Sequence, residues 1–102
     1  MNTTSHLDFG RINRLALQRF PELVAQWLPA GRREGAEWVA LNPTRPDYGL
    51  GSFKINIASG KWADFATGDR GGDPISLLAY LLRIKQVEAA LRLSVQLGGD
   101  HG

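Results

Sequence analysis

The sequence predicts an α+β fold, in which a small three-stranded antiparallel sheet is flanked by N-terminal and C-terminal helices. Three observations lead to this prediction. Apolar residues recur at three- and four-residue spacing through 8–28, apolar and polar residues alternate through 52–57, and helical signals return from Asp73 onwards. The chain has 102 residues, 43% of them hydrophobic, which suits a single domain spanning 7–98 with tails at 1–6 and 99–102.

The first helical region, 8–28, contains a proline at position 21. Proline lacks the amide donor but fits the first turn of a helix. We therefore expect one helix to end near Arg19 and a second to begin at Pro21. Asp8 is the expected cap of the first helix.

The region 37–66 contains the predicted strands, which are 37–41, 52–57 and 61–66. A three-residue loop, 58–60, ends in glycine and predicts a hairpin that pairs Phe53 with Phe65. Side chains alternate between the two faces of a strand. The predicted core face carries Phe53, Ile55, Ile57, Ala63 and Phe65, and the predicted solvent face carries Lys54, Asn56, Trp62 and Asp64. A slip of one residue in this register would turn Trp62 inward.

Two helices are predicted after the sheet, over 74–83 and 87–97. Asp73 caps the first and Pro74 occupies its first position, and Gly98 ends the second.

Composition and motifs exclude several classes of protein. The chain has no cysteine, so it forms no disulfide and no thiolate metal site. It has no signal peptide and no apolar run of about 20 residues, which predicts a soluble cytoplasmic protein that does not contact a membrane. Twelve basic against ten acidic residues give only a weak basic signal. A Gly-x-Ser-x-Gly elbow, a P-loop lysine and a His-Glu-x-x-His pattern are all missing, so we expect no enzymatic activity.

The glycine- and aspartate-rich segment 64–73 allows two chemical interpretations. Gly71 and Gly72, beside Arg70, could present amides to a phosphate, but Asp73 would repel an anion there, which favours a tight turn and a helix cap. A divalent metal held by aspartates is the other interpretation, and spacing alone supports it poorly. The residues concerned are Asp64, Asp69 and Asp73.

Four segments carry a resemblance to a known family: Asn-Pro-Thr-Arg at 42–45, Gly-Ser-Phe at 51–53, the aromatic segment 62–68 and Gly-Gly-Asp at 71–73. On these segments the chain, from about Ile12 to Gly98, resembles the N-terminal zinc-ribbon domain of bacterial and phage DNA primases, including primase-helicases of phages and mobile elements. Asn-Pro-Thr-Arg at 42–45 is similar to the first zinc knuckle, and Gly-Ser-Phe at 51–53 to the following strand entry. The segment 62–68 is similar to the second knuckle, and Gly-Gly-Asp at 71–73 matches the family motif.

The chain departs from the family at every zinc ligand. Four polar residues, which mark a vacated metal site, replace the ligands: Asn42, Arg45, Asp64 and Thr67. Structural zinc sites take thiolate and imidazole ligands, so we expect no zinc and no cofactor. Our hypothesis is that a hydrogen-bonded network across the two knuckles, including the opposite charges of Arg45 and Asp64, replaces the ion.

The resemblance implies a DNA-binding module of a replication primase or primase-helicase that contacts the single-stranded DNA template. The catalytic core of such primases lies in a following domain, so no catalysis is expected here. A tryptophan beside lysines suits base stacking next to phosphate contacts, and the alternative is that Trp62 packs under the loop containing Tyr48 or against a helix. The expected DNA contacts are Lys54, Lys61, Trp62 and Arg70, followed by Arg32, Arg33 and Tyr48.

The alternative function is that of a metal-free protein-interaction module that docks on a replication helicase, polymerase or primase core. Exposed apolar residues of the first helices, or of the last one, would then form the interface. A small enzyme that uses the carboxylates ranks third.

Overall fold

The computed structural model describes residues 7–98, and the predicted tails 1–6 and 99–102 lie outside this range. The fold is α+β, as predicted, with four helices and five strands among the described residues. In chain order these are α1 (Phe9–Leu17), α2 (Phe20–Trp27), β1 (Arg32–Glu34), β2 (Glu37–Ala40), β3 (Phe53–Asn56), β4 (Trp62–Asp64), β5 (Arg70–Gly71), α3 (Pro74–Leu82) and α4 (Gln86–Gln96).

The sheet is an antiparallel meander in the order β1-β2-β3-β4-β5, so the prediction of three strands was wrong. The two additional strands lie at the edges. β1 joins β2 through a two-residue turn in which Gly35 has a φ of +62°, a conformation that favours glycine. β1 consists of three exposed charged residues, so no apolar alternation marks it in the sequence.

The register between β3 and β4 is one residue away from the predicted one. Phe53 lies opposite Asp64, and Ile55 lies opposite Trp62. The turn closes at Asn56, whose side-chain oxygen accepts hydrogen bonds from the amides of Ala58 and Ser59, each at 2.9 Å. The predicted three-residue loop, 58–60, would begin after Ile57. Here the turn begins one residue earlier, after Asn56, because the Asn56 side chain mimics a backbone turn.

The register shift exchanges the two faces of β4. Trp62 and Asp64, predicted to face solvent, point into the core and are 6% and 0% exposed. Phe65, predicted to lie in the core, is 71% exposed. Ala63 is half-buried and shares the solvent face with Lys54.

Helices α1 and α3 begin where their capping residues predict, and α2 begins at Phe20, one residue before the predicted Pro21. The Asp8 carboxylate accepts a hydrogen bond from the amide of Arg11 at 3.0 Å, and that of Asp73 accepts one from Ser76 at 2.8 Å. α3 ends at Leu82, and its C-cap Arg83 adopts a left-handed φ of 57° and donates a hydrogen bond to the carbonyl of Thr44. Within 7–98, every helix is too short or too polar to cross a lipid bilayer.

All four helices share one core with the inner face of the sheet. Trp62 belongs to this core, with its ring centroid 4.5 Å from that of Tyr80 and its indole N–H donating to Ser76 Oγ at 3.0 Å. Gly71, opposite Trp62 in β5, leaves room for the indole, because a Cβ there would lie 2.6 Å from Cε2 of the Trp62 ring. The largest fully buried apolar side chains of the core are those of Phe20, Leu23, Phe53, Ile55, Ile75, Leu77 and Leu93.

Candidate functional site

The outer face of the sheet, opposite the core, carries three cations in one row. Cross-strand partners share a face of a sheet. Arg32 pairs with Val39, Val39 with Lys54, Lys54 with Ala63, and Ala63 with Arg70. Arg32, Lys54 and Arg70 therefore lie on the outer face, on alternate strands.

An exposed aromatic ring and a fourth cation flank this row. Phe65 follows Asp64 and so points to the outer face, where it is 71% exposed. Lys61 lies opposite Asn56, whose amide donates to the Lys61 carbonyl at 2.7 Å. A shallow cleft of about 240 Å³ opens on this face, with Lys54, Asn56, Lys61 and Phe65 among its lining residues.

Two carboxylates lie beside the cations. Arg32 Nε lies 2.8 Å from Glu34 Oε2, and Lys54 Nζ lies 3.9 Å from Glu37 Oε1. The four side chains of these ion pairs are between 35% and 66% exposed. Exposed pairs of this kind are weak in water, so a phosphate can compete for both cations.

Three of the predicted DNA contacts do not join this face. Trp62 points inward and is buried, so the prediction that it stacks on a base is wrong. Arg33 pairs with Trp38 and therefore lies on the opposite side of the sheet from Arg32. Tyr48 lies in the loop between β2 and β3, where it is 93% exposed.

A second cluster of polar groups joins the loop between β2 and β3 to the end of β4. The buried carboxylate of Asp64 accepts four hydrogen bonds. They come from Arg45 Nε at 2.7 Å, Arg45 Nη2 at 3.2 Å, Asn42 Nδ2 at 2.8 Å and the amide of Ala66 at 2.9 Å. Asn42, Arg45 and Asp64, three of the four positions marked as a vacated metal site, are thus in direct contact.

Tyr80 of α3, rather than Thr67, completes this cluster. Its hydroxyl accepts a hydrogen bond from Asn42 Nδ2 at 2.8 Å and donates one to Asp69 at 2.8 Å. The Thr67 hydroxyl instead accepts a bond from the amide of Asp69 at 3.1 Å. We name Asn42, Arg45, Asp64 and Tyr80 the loop network.

The side chains at the four marked positions do not fit zinc. Structural zinc sites use thiolate and imidazole ligands, whereas these positions hold an amide, a guanidinium, a carboxylate and a hydroxyl. A guanidinium carries a positive charge and has no lone pair to offer a cation. Because the Arg45 guanidinium occupies the carboxylate of Asp64, a zinc ion would have to displace it.

The aspartates of the alternative metal site are separately engaged. Asp64 binds Arg45, Asp69 accepts from Tyr80, and Asp73 caps α3. Between residues 7 and 98 there is no group of three or more histidine, cysteine, aspartate or glutamate residues placed to hold a metal ion. The carboxylate of Asp73 accepts from the Ser76 amide, and Asn13 Oδ1 accepts from the Ile75 amide at 3.0 Å, so these N-terminal amides of α3 are bonded within the protein, as expected for a capped helix rather than a phosphate site.

The surroundings of Asp64 lower the pKa of its carboxyl well below the usual range. The hydrogen bonds from Arg45 are the largest cause, and those from Asn42 and Ala66 act in the same direction against the opposing effect of burial. The same contact with Asp64 raises the pKa of Arg45. The pair is therefore charged at all physiological pH values.

The lowered pKa predicts acid sensitivity. In the folded state Asp64 binds a proton less readily than in the unfolded state, so its contribution to the free energy of unfolding is fully present above the ordinary aspartate pKa of about 3.9. It is lost as pH falls below that value. We expect urea unfolding to show little change between neutral pH and about pH 5 and a marked loss below about pH 4. The loss should be shallower in Asp64→Asn, and equal slopes in the two proteins would contradict the assignment.

Sequence reasoning missed Phe65 and Tyr80 as members of these sites. The Asn56 side chain, a known turn former, was the available signal for the register that exposes Phe65. Tyr80 lies within an almost wholly apolar helix, and nothing in its sequence neighbourhood shows that its hydroxyl reaches Asn42.

Comparison of the sequence with protein-family models and with curated proteins gives no match. The function is therefore inferred from the geometry of the outer face and of the loop network.

Proposed function

We propose that the chain is a single-stranded DNA-binding module of the primase zinc-ribbon type, without catalytic activity of its own, that holds the DNA on the outer face of its sheet. The row of Arg32, Lys54 and Arg70 across this face is the observation that carries the proposal.

The spacing of the cations suits a nucleic-acid backbone that crosses the strands. Neighbouring strands lie about 4.8 Å apart, so cations on alternate strands are about 10 Å apart and the row extends over about 20 Å. A positively charged track of this kind binds phosphates without regard to sequence.

Phe65 supplies the second component of single-strand binding. A ring that is 71% exposed beside Lys54 can stack on an unpaired base, a contact that duplex DNA does not offer. Lys61 and Asn56, on the same face, add a cation and an amide within reach of a base or phosphate.

The loop network supports the link to the primase-type ribbon. Residues at three of the four positions where that family binds zinc meet in this chain, and they hold the two loops together through hydrogen bonds. The Gly71-Gly72-Asp73 segment ends β5 and caps α3.

The proposal is tested by fluorescence anisotropy of labelled oligothymidylate and of duplex DNA over a range of salt concentrations. We expect preference for the single strand and a steep loss of affinity with salt. Lys54→Ala and Arg70→Ala should each make the slope of log K against log salt shallower by about 0.7, the value for one phosphate contact on a single strand.

Two variants serve as controls for this measurement. Arg14→Ala removes an exposed cation from α1 and should leave the slope unchanged. Glu37→Gln removes the carboxylate beside Lys54 and should strengthen binding. Failure to bind at low salt would overturn the proposal and favour the alternative, docking on a replication helicase, polymerase or primase core.

A further inference from the structure

Helix α4 has two apolar faces, and only one of them is used in the core. Ala89, Ala90 and Leu93 are buried against the rest of the domain. Val87, Leu91 and Val95 are 47%, 50% and 63% exposed. We name these three exposed residues the α4 stripe.

The α4 stripe is continuous and points away from the core. Its members are spaced by four residues, so they follow one another along one side of the helix. Leu93 is two residues from Leu91, a rotation of about 200° around the helix axis, which places the stripe opposite the buried face. A helix that is apolar on two opposite sides is typical of one covered by a second partner.

We propose that the α4 stripe is the interface of a homodimer, in which α4 packs antiparallel against α4 of a second copy of this chain. A two-fold axis at Leu91 sets each Leu91 against the other and Val87 against Val95 of the second copy. Such an isologous contact needs one self-complementary surface, and the α4 stripe is symmetric about Leu91.

Charges beside the α4 stripe are complementary in this arrangement. Glu88 and Arg92 are four residues apart, so they border the same edge of the stripe. Antiparallel pairing about Leu91 brings Glu88 within about 3 Å, measured along the axis, of Arg92 of the second copy. Glu88 Oε1 accepts a hydrogen bond from the amide of Lys85 at 3.3 Å at the start of α4, and among residues 7–98 neither Glu88 nor Arg92 forms an ion pair. In a parallel two-fold arrangement the edge that carries Glu88 and Arg92 would instead face the opposite edge of the second α4, and the two charges would not meet.

The homodimer is independent of the proposed DNA contact. The inner face of the sheet shares the core with the buried face of α4, and the proposed DNA contacts lie on the outer face. Both copies would therefore keep their outer faces accessible.

Sedimentation equilibrium of the whole chain over a range of protein concentrations tests the homodimer. We expect a reversible monomer–dimer equilibrium, and Leu91→Glu should raise the dimer dissociation constant roughly tenfold or more. Circular dichroism should show the same helix content, because Leu91 is outside the core. Arg14→Glu, a charge reversal on α1, is the matched control and should leave the equilibrium unchanged.

Charge reversal tests the antiparallel register. Glu88→Arg and Arg92→Glu should each weaken self-association, because each variant places like charges together across the interface. An equimolar mixture of the two should form a heterodimer, in which both charge pairs are restored. A purely monomeric native chain, or dimerisation unaffected by Leu91→Glu, would overturn the proposal. Failure of the mixture to associate more strongly than either variant would overturn the antiparallel register.

Discussion

Replacing Asp64 by alanine is expected to lower the free energy of unfolding by about 1–3 kcal/mol, the range for leaving a buried hydrogen-bond donor without its acceptor. The carboxylate is fully buried and accepts hydrogen bonds from Arg45, Asn42 and Ala66. Its loss leaves the Asn42 side-chain amide buried without this acceptor, and it leaves Asp47, whose Oδ2 lies 3.5 Å from Arg45 Nη2, as the remaining counter-charge of Arg45. Native domains are stable by only about 5–15 kcal/mol, so urea unfolding followed by circular dichroism would detect the change readily.

An exposed ion pair provides the matched control for Asp64→Ala. Arg19 and Glu22 on α2 lie 3.6 Å apart, with side chains that are 48% and 72% exposed. Glu22→Ala should therefore cost less than about 1 kcal/mol. Asp64→Asn keeps the shape of the side chain but places an N–H₂ group among donors, and it should also destabilise the fold. Equal effects of Asp64→Ala and Glu22→Ala would show that the loop network does not stabilise the domain.

Trp62→Ala is expected to destabilise the domain by about 3–5 kcal/mol, the cost of removing a large aromatic side chain from a core. Trp62 packs on Tyr80, makes an edge contact with Phe53 at 6.3 Å between centroids, and donates a hydrogen bond to Ser76. Truncation would leave a cavity beside Gly71 and remove the donor to Ser76. Thermal or urea unfolding measures the loss directly.

Phe65→Ala is the counterpart that separates stability from DNA contact. Phe65 is exposed, so its truncation should change the free energy of unfolding by no more than about 0.5 kcal/mol. The affinity of the Phe65→Ala variant for oligothymidylate should fall by about tenfold, since stacking of one base contributes about 1–3 kcal/mol. A stable Trp62→Ala, or a Phe65→Ala variant that unfolds like Trp62→Ala, would contradict the orientation of β4.

The helices were predicted well because their signals are local. Asp8 and Asp73 cap the amides of residues three positions along the chain, and proline fits only the first turn. β1 escaped prediction for the opposite reason. Its three charged residues have no apolar alternation, and it exists because it pairs with β2.

The candidate sites were predicted in part. The resemblance placed Asn42, Arg45 and Asp64 in one predicted site. Lys54 and Arg70 were predicted DNA contacts because they are basic residues in or beside the predicted strands. Which aromatic residue faces outward depended on a register difference of a single residue, which exchanges Trp62 and Phe65. Whether Tyr80 joins the loop network depends on how α3 is rotated about its axis over the sheet. This rotation is set by tertiary packing, and helical periodicity alone does not determine it.

The loop network also sets which chemical conditions the domain tolerates. Amide, guanidinium, carboxylate and phenol groups join the loop between β2 and β3 to β4 and α3, and the chain contains no cysteine. Oxidants have no thiol to attack there, and these four side chains do not form a zinc ligand set from which a chelator could remove a metal ion. We therefore expect the connection between the loops to be insensitive to thiol oxidants and to chelators, and we expect acid to weaken it.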